Sequence, residues 1–151
     1  MKAIIAHIGA WAPKPEQIGT AKFLNNTNQV DKFFSYFKNE LITRLNIFYA
    51  EFRNLKKEGY NVDAISPQGA LYLTIKLDLR GMRTNAGIEL KTVDDVLAYI
   101  LEDAKIALVP FYAFGASKES PWFRLSVGTC SIDEANEAAK EFRRSLRKLK
   151  K

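Results

Sequence analysis

The sequence predicts an α+β fold, in which helices cover one face of a small three- to four-stranded sheet and a long helical segment precedes it. Residues 70–79 and 121–128 alternate apolar and polar side chains at the two-residue period of a strand. Residues 29–57 repeat apolar side chains at steps of three and four, as one face of a helix does. The 151 residues suit one domain, and a composition that is 47% hydrophobic is sufficient for a sizeable core.

Helices are predicted throughout the N-terminal part of the chain. Residues 1–10 predict a short helix, which ends before Pro13 and Pro15 because two prolines one residue apart cannot continue a helix. Pro15 can open a second helix. That helix is predicted to run to about Leu24 and to be closed by residues 25–28.

The longest predicted element is a helix over residues 29–57, which would be about 40 Å long. A helix of that length exceeds what a small domain needs, so we expect it to lie across a sheet or to bridge two bodies. Lys56, Lys57 and Gly59 mark its end. Its apolar stripe consists of Val30, Phe33, Phe37, Leu41, Leu45, Phe48, Phe52 and Leu55.

The predicted sheet begins with a short strand at residues 62–65 and continues with the alternating strand 70–79. A short buried strand is predicted at residues 106–109, ended by the proline that follows. Residues 80–90 and 111–120 are predicted to be loops. The strand 70–79 presents Leu71, Leu73, Ile75, Leu77 and Leu79 on one face and Tyr72, Thr74, Lys76 and Asp78 on the other.

Two further helices have recognisable N-terminal caps. Thr92 with Asp95 caps the first, and Ser131 with Glu134 forms a capping box for the last. The apolar stripe of the first is Val93, Val96, Leu97, Ile100, Leu101 and Ala104. The apolar face of the last is Ile132, Ala135, Ala139, Phe142, Leu146 and Leu149.

Arg124 is the candidate functional residue of the strand 121–128. Phe123, Leu125 and Val127 make one face of this strand wholly apolar, whereas Arg124 lies on the other face. A guanidinium is a rigid fork of donors that matches the two oxygens of a carboxylate. The pattern alone leaves two interpretations open: a structural ion pair on the sheet face, or a site for a ligand carboxylate.

The composition argues against several classes of site. His7 and Cys130 are the only histidine and cysteine, so multi-histidine metal sites and an internal disulfide are excluded. We therefore expect no metal site. No apolar run reaches the length of a membrane span, and the first eight residues are too short and polar for a signal peptide. A lone cysteine fits a reducing compartment, so we expect a cytoplasmic protein without membrane partners.

The net charge of +6 does not indicate nucleic-acid binding. Residues 140–151 hold seven basic residues and one acid, and the rest of the chain has 16 of each sign. Cations at the C-terminal end of a helix are stabilised by the backbone dipole. A solvated helix end is therefore the preferred interpretation, and no nucleic-acid partner is expected.

Three segments between residues 66 and 126 resemble, in order, three motifs of one enzyme family. Residues 66–73, Ser-Pro-Gln-Gly-Ala-Leu-Tyr-Leu, are similar to its Pro-x-Gly-Ala-Phe-Tyr strand. Residues 94–110 are similar to its helix and strand before a Val-x-Pro-Gly-x-x-Phe-Gly turn, which Phe114 and Gly115 continue. Residues 122–126 are similar to its arginine-bearing strand. The family is that of the class I/II, fold type I, pyridoxal-phosphate-dependent aminotransferases.

The resemblance extends to the N-terminal part and implies a domain organisation. Residues 8–17 and 20–24 resemble the segment after the cofactor-binding lysine of the family. The chain would then be the C-terminal small domain, a single domain over residues 1–151. Residues 1–28 would be the helical remainder of the large-domain junction, 29–57 the helix that connects the two domains, and 58–151 the α/β sandwich. The catalytic large domain would be absent.

The resemblance also implies roles for particular residues. The family's strand arginine binds the α-carboxylate of the amino-acid substrate, a role that falls on Arg124. Phe111, Phe114 and Gly115 would lie at the substrate entrance, and Phe111 replaces the family's usual glycine, which implies a narrower entrance. Lys118 follows a serine as the family's catalytic lysine often does, but the glycine and arginine expected downstream do not follow, because Arg124 already belongs to the later motif. We therefore expect Lys118 to be a solvated loop residue.

The parent enzyme implied by the resemblance moves an amino group between an amino acid and a 2-oxo acid with pyridoxal phosphate. The Schiff-base lysine and the other cofactor-binding residues would lie in the large domain, so this chain is expected to hold no catalytic residue and no bound cofactor. Its expected partners are that large domain and a second copy of itself. Two alternatives stay open: a lyase or decarboxylase of the same fold type, or a non-catalytic stand-alone binding module.

Overall fold

The computed structural model describes residues 3–4, 9 and 12–150. The chain divides into two compact units, Met1–Asn39 and Glu40–Lys151, each of which is described by itself. The predicted helix over residues 1–10 and the single histidine lie largely or wholly outside the described residues. No helix among the described residues combines the length and apolarity that a membrane crossing requires.

Helix α1, Lys14–Leu24, lies in the first unit and confirms the helix predicted after the two prolines. Pro13 occupies its N-cap position and Pro15 its first turn, where a missing backbone N–H costs no helical hydrogen bond. Asn25 caps the other end. No residue of α1 is buried.

Helix α2, Thr27–Lys57, begins two residues before its predicted start and ends where predicted. Its buried side chains all belong to the second unit: Leu41, Leu45, Phe48, Phe52 and Leu55. In the first unit the same stripe is more open, with Phe33 51% exposed and Phe37 37% exposed. The stripe thus contributes to the core of the second unit only from Leu41 onwards.

The second unit contains an antiparallel four-stranded sheet in the order β1-β2-β4-β3. The strands are β1, Val62–Ala64; β2, Tyr72–Leu77; β3, Val109–Pro110; and β4, Trp122–Ser126. The predicted apolar face is confirmed, because alternate residues of β2 and β4 are buried and their neighbours are not. The buried face joins one hydrophobic core with side chains of α2 and of the two helices described next.

Helices α3, Val93–Ala104, and α4, Ile132–Arg147, complete the second unit. Both predicted capping boxes are confirmed, with Thr92 and Ser131 accepting hydrogen bonds from the backbone N–H groups of Asp95 and Glu134. The predicted apolar stripe of α3 is wrong at one position, because Leu101 is 52% exposed and does not belong to the core. The observed architecture is the predicted α+β fold.

Two predictions near β3 need correction. The strand predicted at residues 106–109 is Val109–Pro110 instead, so the proline lies within the strand and does not end it. Because β3 is an edge strand of the sheet, its proline need not donate to a further neighbour. The predicted loop 111–120 begins with a 3-10 helix, Phe111–Phe114, called the aromatic turn below.

Candidate functional site

Arg124 lies in the middle of β4, which is paired on both sides. Its backbone is opposite Thr74 of β2 and opposite Val109 of β3. Its sequence neighbours Phe123 and Leu125 are buried on the core face, so the arginine side chain projects from the opposite face. Two paired neighbours fix the backbone from which the guanidinium extends.

Two aromatic rings contact the Arg124 guanidinium. Its Cζ lies 4.3 Å from the centre of the Tyr72 ring and 4.5 Å from the centre of the Phe114 ring. Tyr72 comes from β2, where it pairs with Ser126 and is a diagonal neighbour of Arg124. Phe114 comes from the aromatic turn. Cation–π contacts of this kind position a guanidinium and cover its faces without using its hydrogen-bond donors.

The described residues include no carboxylate partner for Arg124. Its Nε is buried and makes no hydrogen bond. Five other arginines form ion pairs with acidic side chains: Arg44, Arg80, Arg83, Arg143 and Arg144. Arg44 Nε is likewise buried without a hydrogen bond, but the Arg44 guanidinium has Glu40 as an acidic partner. Among the described residues, Arg124 therefore forms no structural ion pair of the kind that the sequence left open.

The aromatic turn is shaped by its own short-range contacts. The Phe111 and Phe114 rings meet edge to face, with centres 6.1 Å apart. Gly115 ends the turn at a φ of 92°, in the left-handed region that glycine adopts without a side-chain clash. Its N–H donates to the Tyr112 carbonyl at 3.1 Å. Gly115, which the family resemblance places at the substrate entrance, is therefore also required by the backbone geometry of the turn.

A tyrosine–aspartate hydrogen bond joins the aromatic turn to helix α3. The Tyr112 hydroxyl donates to Asp94 Oδ1 at 2.5 Å. This hydrogen bond, together with burial and the carboxylate charge, raises the pKa of Tyr112. Asp94 lies in the first turn of α3, where the helix dipole stabilises a carboxylate.

The structure brings some of the predicted site residues together. Phe114 contacts the Arg124 guanidinium directly, Phe111 contacts the Phe114 ring, and Gly115 ends the turn that carries both. Their roles towards a ligand stay predictions. Tyr72 is a site residue that the sequence pattern does not predict, although the alternation places it on the outward face of its strand.

Other polar features of the second unit lie apart from the Arg124 contacts. Lys118 is exposed and borders a small depression of about 260 Å³ that Asp94 and Tyr112 also line. Two larger clefts, of about 520 and 760 Å³, include Arg143 and Arg80, whose charges are already paired with acids. Within residues 12–150 and the few described before them, no cluster of side chains is suited to a metal ion.

Comparison with known proteins finds relatives in one family. No family model matches the chain. A probable aspartate/prephenate aminotransferase from Rickettsia bellii is 38% identical over 88 residues, which are 58% of this chain and 21% of that protein. An aspartate aminotransferase from Geobacillus stearothermophilus is 38% identical over 103 residues, 68% of this chain and 23% of that protein.

Comparison of the fold with solved structures identifies the same family as the comparison of sequences. The crystal structure of the aspartate aminotransferase from Rhizobium meliloti superposes with a TM-score of 0.61 and 31% identity, covering 77% of this chain and 26% of that one. The chain thus spans about a fifth to a quarter of the length of the proteins it matches. In sequence and in fold, the chain is a relative of the aminotransferases and corresponds to about a quarter of one.

Proposed function

We propose that this chain is the C-terminal small domain of a pyridoxal-phosphate-dependent aminotransferase and that Arg124 binds the α-carboxylate of its substrates. The single observation that carries the proposal is the state of Arg124. It is held on a central strand between two aromatic rings, with no acidic partner among the described residues. The relatives provide the reaction, the transfer of an amino group between an amino acid and a 2-oxo acid.

An unpaired, partly buried arginine has an energetic cost that a ligand can offset. Leaving a buried donor without a partner costs about 1–3 kcal/mol, and more when the group is charged. Arg124 Nε is such a donor, and the guanidinium to which it belongs is only partly exposed. A substrate carboxylate at the exposed part of the guanidinium would supply the missing negative charge and two acceptors in one plane. The fold therefore retains a residue whose partner we propose to be a ligand.

The substrate class follows from what all donors and acceptors of an aminotransferase share. Amino acids and 2-oxo acids both carry a carboxylate at C1, so one arginine can serve both halves of the reaction. The relatives are named for aspartate and for prephenate. We propose aspartate as an amino donor of the parent enzyme, with its α-carboxylate bound by Arg124.

The described residues around Arg124 do not by themselves fit pyridoxal phosphate. That cofactor needs a lysine amine for its aldehyde, donors for its phosphate and a carboxylate for its ring nitrogen. Arg124 instead contacts two aromatic rings, and neither a lysine amine nor a carboxylate contacts it in the described part of the chain. We assign no step of the cofactor's chemistry to this chain and propose that the rest of the parent enzyme supplies it.

The proposal also assigns a role to helix α2. We propose that α2 is the helix that connects the small domain with the large domain, and that a large domain or a second copy of the chain covers its exposed aromatic side chains. Within the first unit, four aromatic residues of α2 are at least 37% exposed: Phe33, Phe34, Tyr36 and Phe37. Apolar groups this close together favour association.

The test compares Arg124 with another arginine of the same chain. Aspartate and its 2-oxo acid are titrated into the wild-type chain, Arg124→Lys and Arg83→Lys, with calorimetric detection. Lysine cannot reproduce the planar fork, so Arg124→Lys should weaken both ligands alike by at least about tenfold. Arg83, which is exposed and paired with Glu89, is the matched control and should leave both affinities unchanged. Wild-type affinity in Arg124→Lys would overturn the proposal.

A further inference from the structure

We propose that Tyr112 is a positioning residue, whose hydrogen bond to Asp94 holds the aromatic turn so that the Phe114 ring stays on the Arg124 guanidinium. In the described part of the chain, no hydrogen bond, ion pair or ring contact joins Tyr112 or Asp94 to Arg124, so their effect on it passes through the turn. The inference deepens the proposed function and rests on it in one respect, that Arg124 binds a carboxylate. The contacts that lead from Asp94 to Arg124 do not depend on any ligand.

The Phe114 ring needs support from its own backbone because its other contacts are few. It is 54% exposed, and its ring contacts are those with Phe111 and with Arg124. The aromatic turn is four residues long, between edge strand β3 and a glycine in the left-handed region. The Phe114 side chain therefore contributes little buried area to fix the turn, whereas the half-buried Tyr112 side chain packs against the core.

Tyr112 supplies a fixed point for this turn. Among the described side chains of residues 111–114, its hydroxyl makes the one hydrogen bond to another element, at 2.5 Å from Asp94 Oδ1. The acceptor is a carboxylate, which makes the hydrogen bond stronger than one between neutral groups. Asp94 in turn lies on α3, whose N-terminus is fixed by the capping box of Thr92 and Asp95. The turn is thereby tied to a rigid helix.

Loss of the Tyr112 hydroxyl should release Phe114 from Arg124 without affecting the core. Tyr112 is half-buried and packs against the hydrophobic core, so Tyr112→Phe keeps the packing of the ring and removes only the hydroxyl. A guanidinium that loses one of its two rings gains solvent and rotational freedom, both of which weaken a bound carboxylate. A cation–π contact at a partly exposed site corresponds to about a two- to fivefold change in affinity. We expect that loss for a carboxylate ligand in Tyr112→Phe.

The experiment measures the position of the Phe114 ring and the binding of the ligand separately. Aromatic rings shift nearby NMR signals, so the side-chain resonances of Arg124 report the contact with Phe114 in the absence of any ligand. Tyr112→Phe should move these resonances towards the values seen in Phe114→Leu. Tyr99→Phe is the matched control, because it removes a tyrosine hydroxyl that donates to the Ser145 carbonyl at 2.8 Å. It should leave the Arg124 resonances unchanged.

The acceptor is tested by two variants of Asp94. Asp94→Asn keeps an oxygen that can accept the hydrogen bond and should preserve most of the Arg124 shift, whereas Asp94→Ala should reproduce Tyr112→Phe. Unchanged Arg124 resonances in both Tyr112→Phe and Asp94→Ala would overturn the inference. The resonances could move as expected while aspartate binds neither the wild type nor any variant. In that case the positioning role stands and the proposed function fails.

Discussion

The centre of the Tyr72 ring lies 4.3 Å from the guanidinium carbon of Arg124, across the boundary between strands β2 and β4. The contact follows from the register of the two strands, in which Thr74 is directly opposite Arg124 and Tyr72 is two residues away on the same face. Tyr72 is 39% exposed and lies, like Arg124, on the face of the sheet opposite the core. The pair forms the fixed side of the candidate site, and Phe114 on its turn forms the other.

The ring of Tyr72, and not its hydroxyl, should matter for carboxylate binding. Tyr72→Leu removes the cation–π contact and should weaken aspartate binding about two- to fivefold. Tyr72→Phe keeps the ring and should bind like the wild type. Both affinities are measured by calorimetry, with thermal unfolding as the control for folding. Equal losses in the two variants would show that the hydroxyl is the important group.

The core of the second unit should depend strongly on the contact between α2 and α4. Phe52 and Phe142 are both nearly inaccessible, and their ring centres are 4.9 Å apart. Phe52→Ala should lower the free energy of unfolding by about 3–5 kcal/mol through lost burial and the cavity left behind. Urea denaturation measures this loss. Leu101→Ala, at an exposed position of helix α3, is the control and should change it by less than about 0.5 kcal/mol.

Acid should destabilise the protein in part through Asp103. Burial raises the pKa of this carboxyl, whereas the hydrogen bond from Lys148 and the charge of Lys148 lower it. The lowering effects together are larger, so the pKa in the folded protein lies below the usual value. A carboxyl with a lowered pKa stabilises the fold above its unfolded pKa of about 4 and loses that contribution as the pH falls through its folded pKa.

Lys148→Met therefore should make stability less dependent on pH in the acid range. Denaturation at a series of pH values from about 6 to 3 measures the effect, since the wild type should lose more stability over this range than the variant. Lys140→Met is a control, because Lys140 pairs with Glu137 on the exposed surface. An identical acid response in the wild type and Lys148→Met would exclude the Asp103–Lys148 pair as a contributor.

The exposed aromatic side chains of α2 should cause the isolated chain to self-associate. The rings of Phe33 and Phe37 stack with centres 5.8 Å apart, and Phe34 and Tyr36 are exposed beside them. Light scattering should therefore give a mass above that of a 17.1 kDa monomer, rising with protein concentration. Replacement of Phe33, Phe34 and Phe37 by serine should restore the monomer. A wild-type mass that stays monomeric at high concentration would contradict the expectation.

Local patterns explain why much of the fold could be predicted. The two-residue alternation identified β4 and its buried residues Phe123 and Leu125, because the alternation is a property of the strand itself. The capping boxes of α3 and α4 involve side chains only three residues apart, so they too are visible in the sequence. Arg124 was found as the one cation among the outward residues of its strand.

Contacts that depend on pairing or on turn geometry could not be predicted in the same way. The approach of Tyr72 to Arg124 depends on the register between β2 and β4, which no local pattern specifies. The sequence predicts that Pro110 ends a strand, but an edge position permits a proline within one. The hydrogen bond between Tyr112 and Asp94 joins residues 18 positions apart and depends on a 3-10 turn that the sequence predicted only as a loop.

The central claim, that Arg124 binds the α-carboxylate, is tested most directly by following the Arg124 Nε–H resonance of the wild-type chain during titration with aspartate and with its α-amide. The two ligands have the same size and differ at the group that Arg124 is proposed to bind. We predict a saturable shift with aspartate and no comparable shift with the α-amide. No response to aspartate, or equal responses to both ligands, would contradict the account.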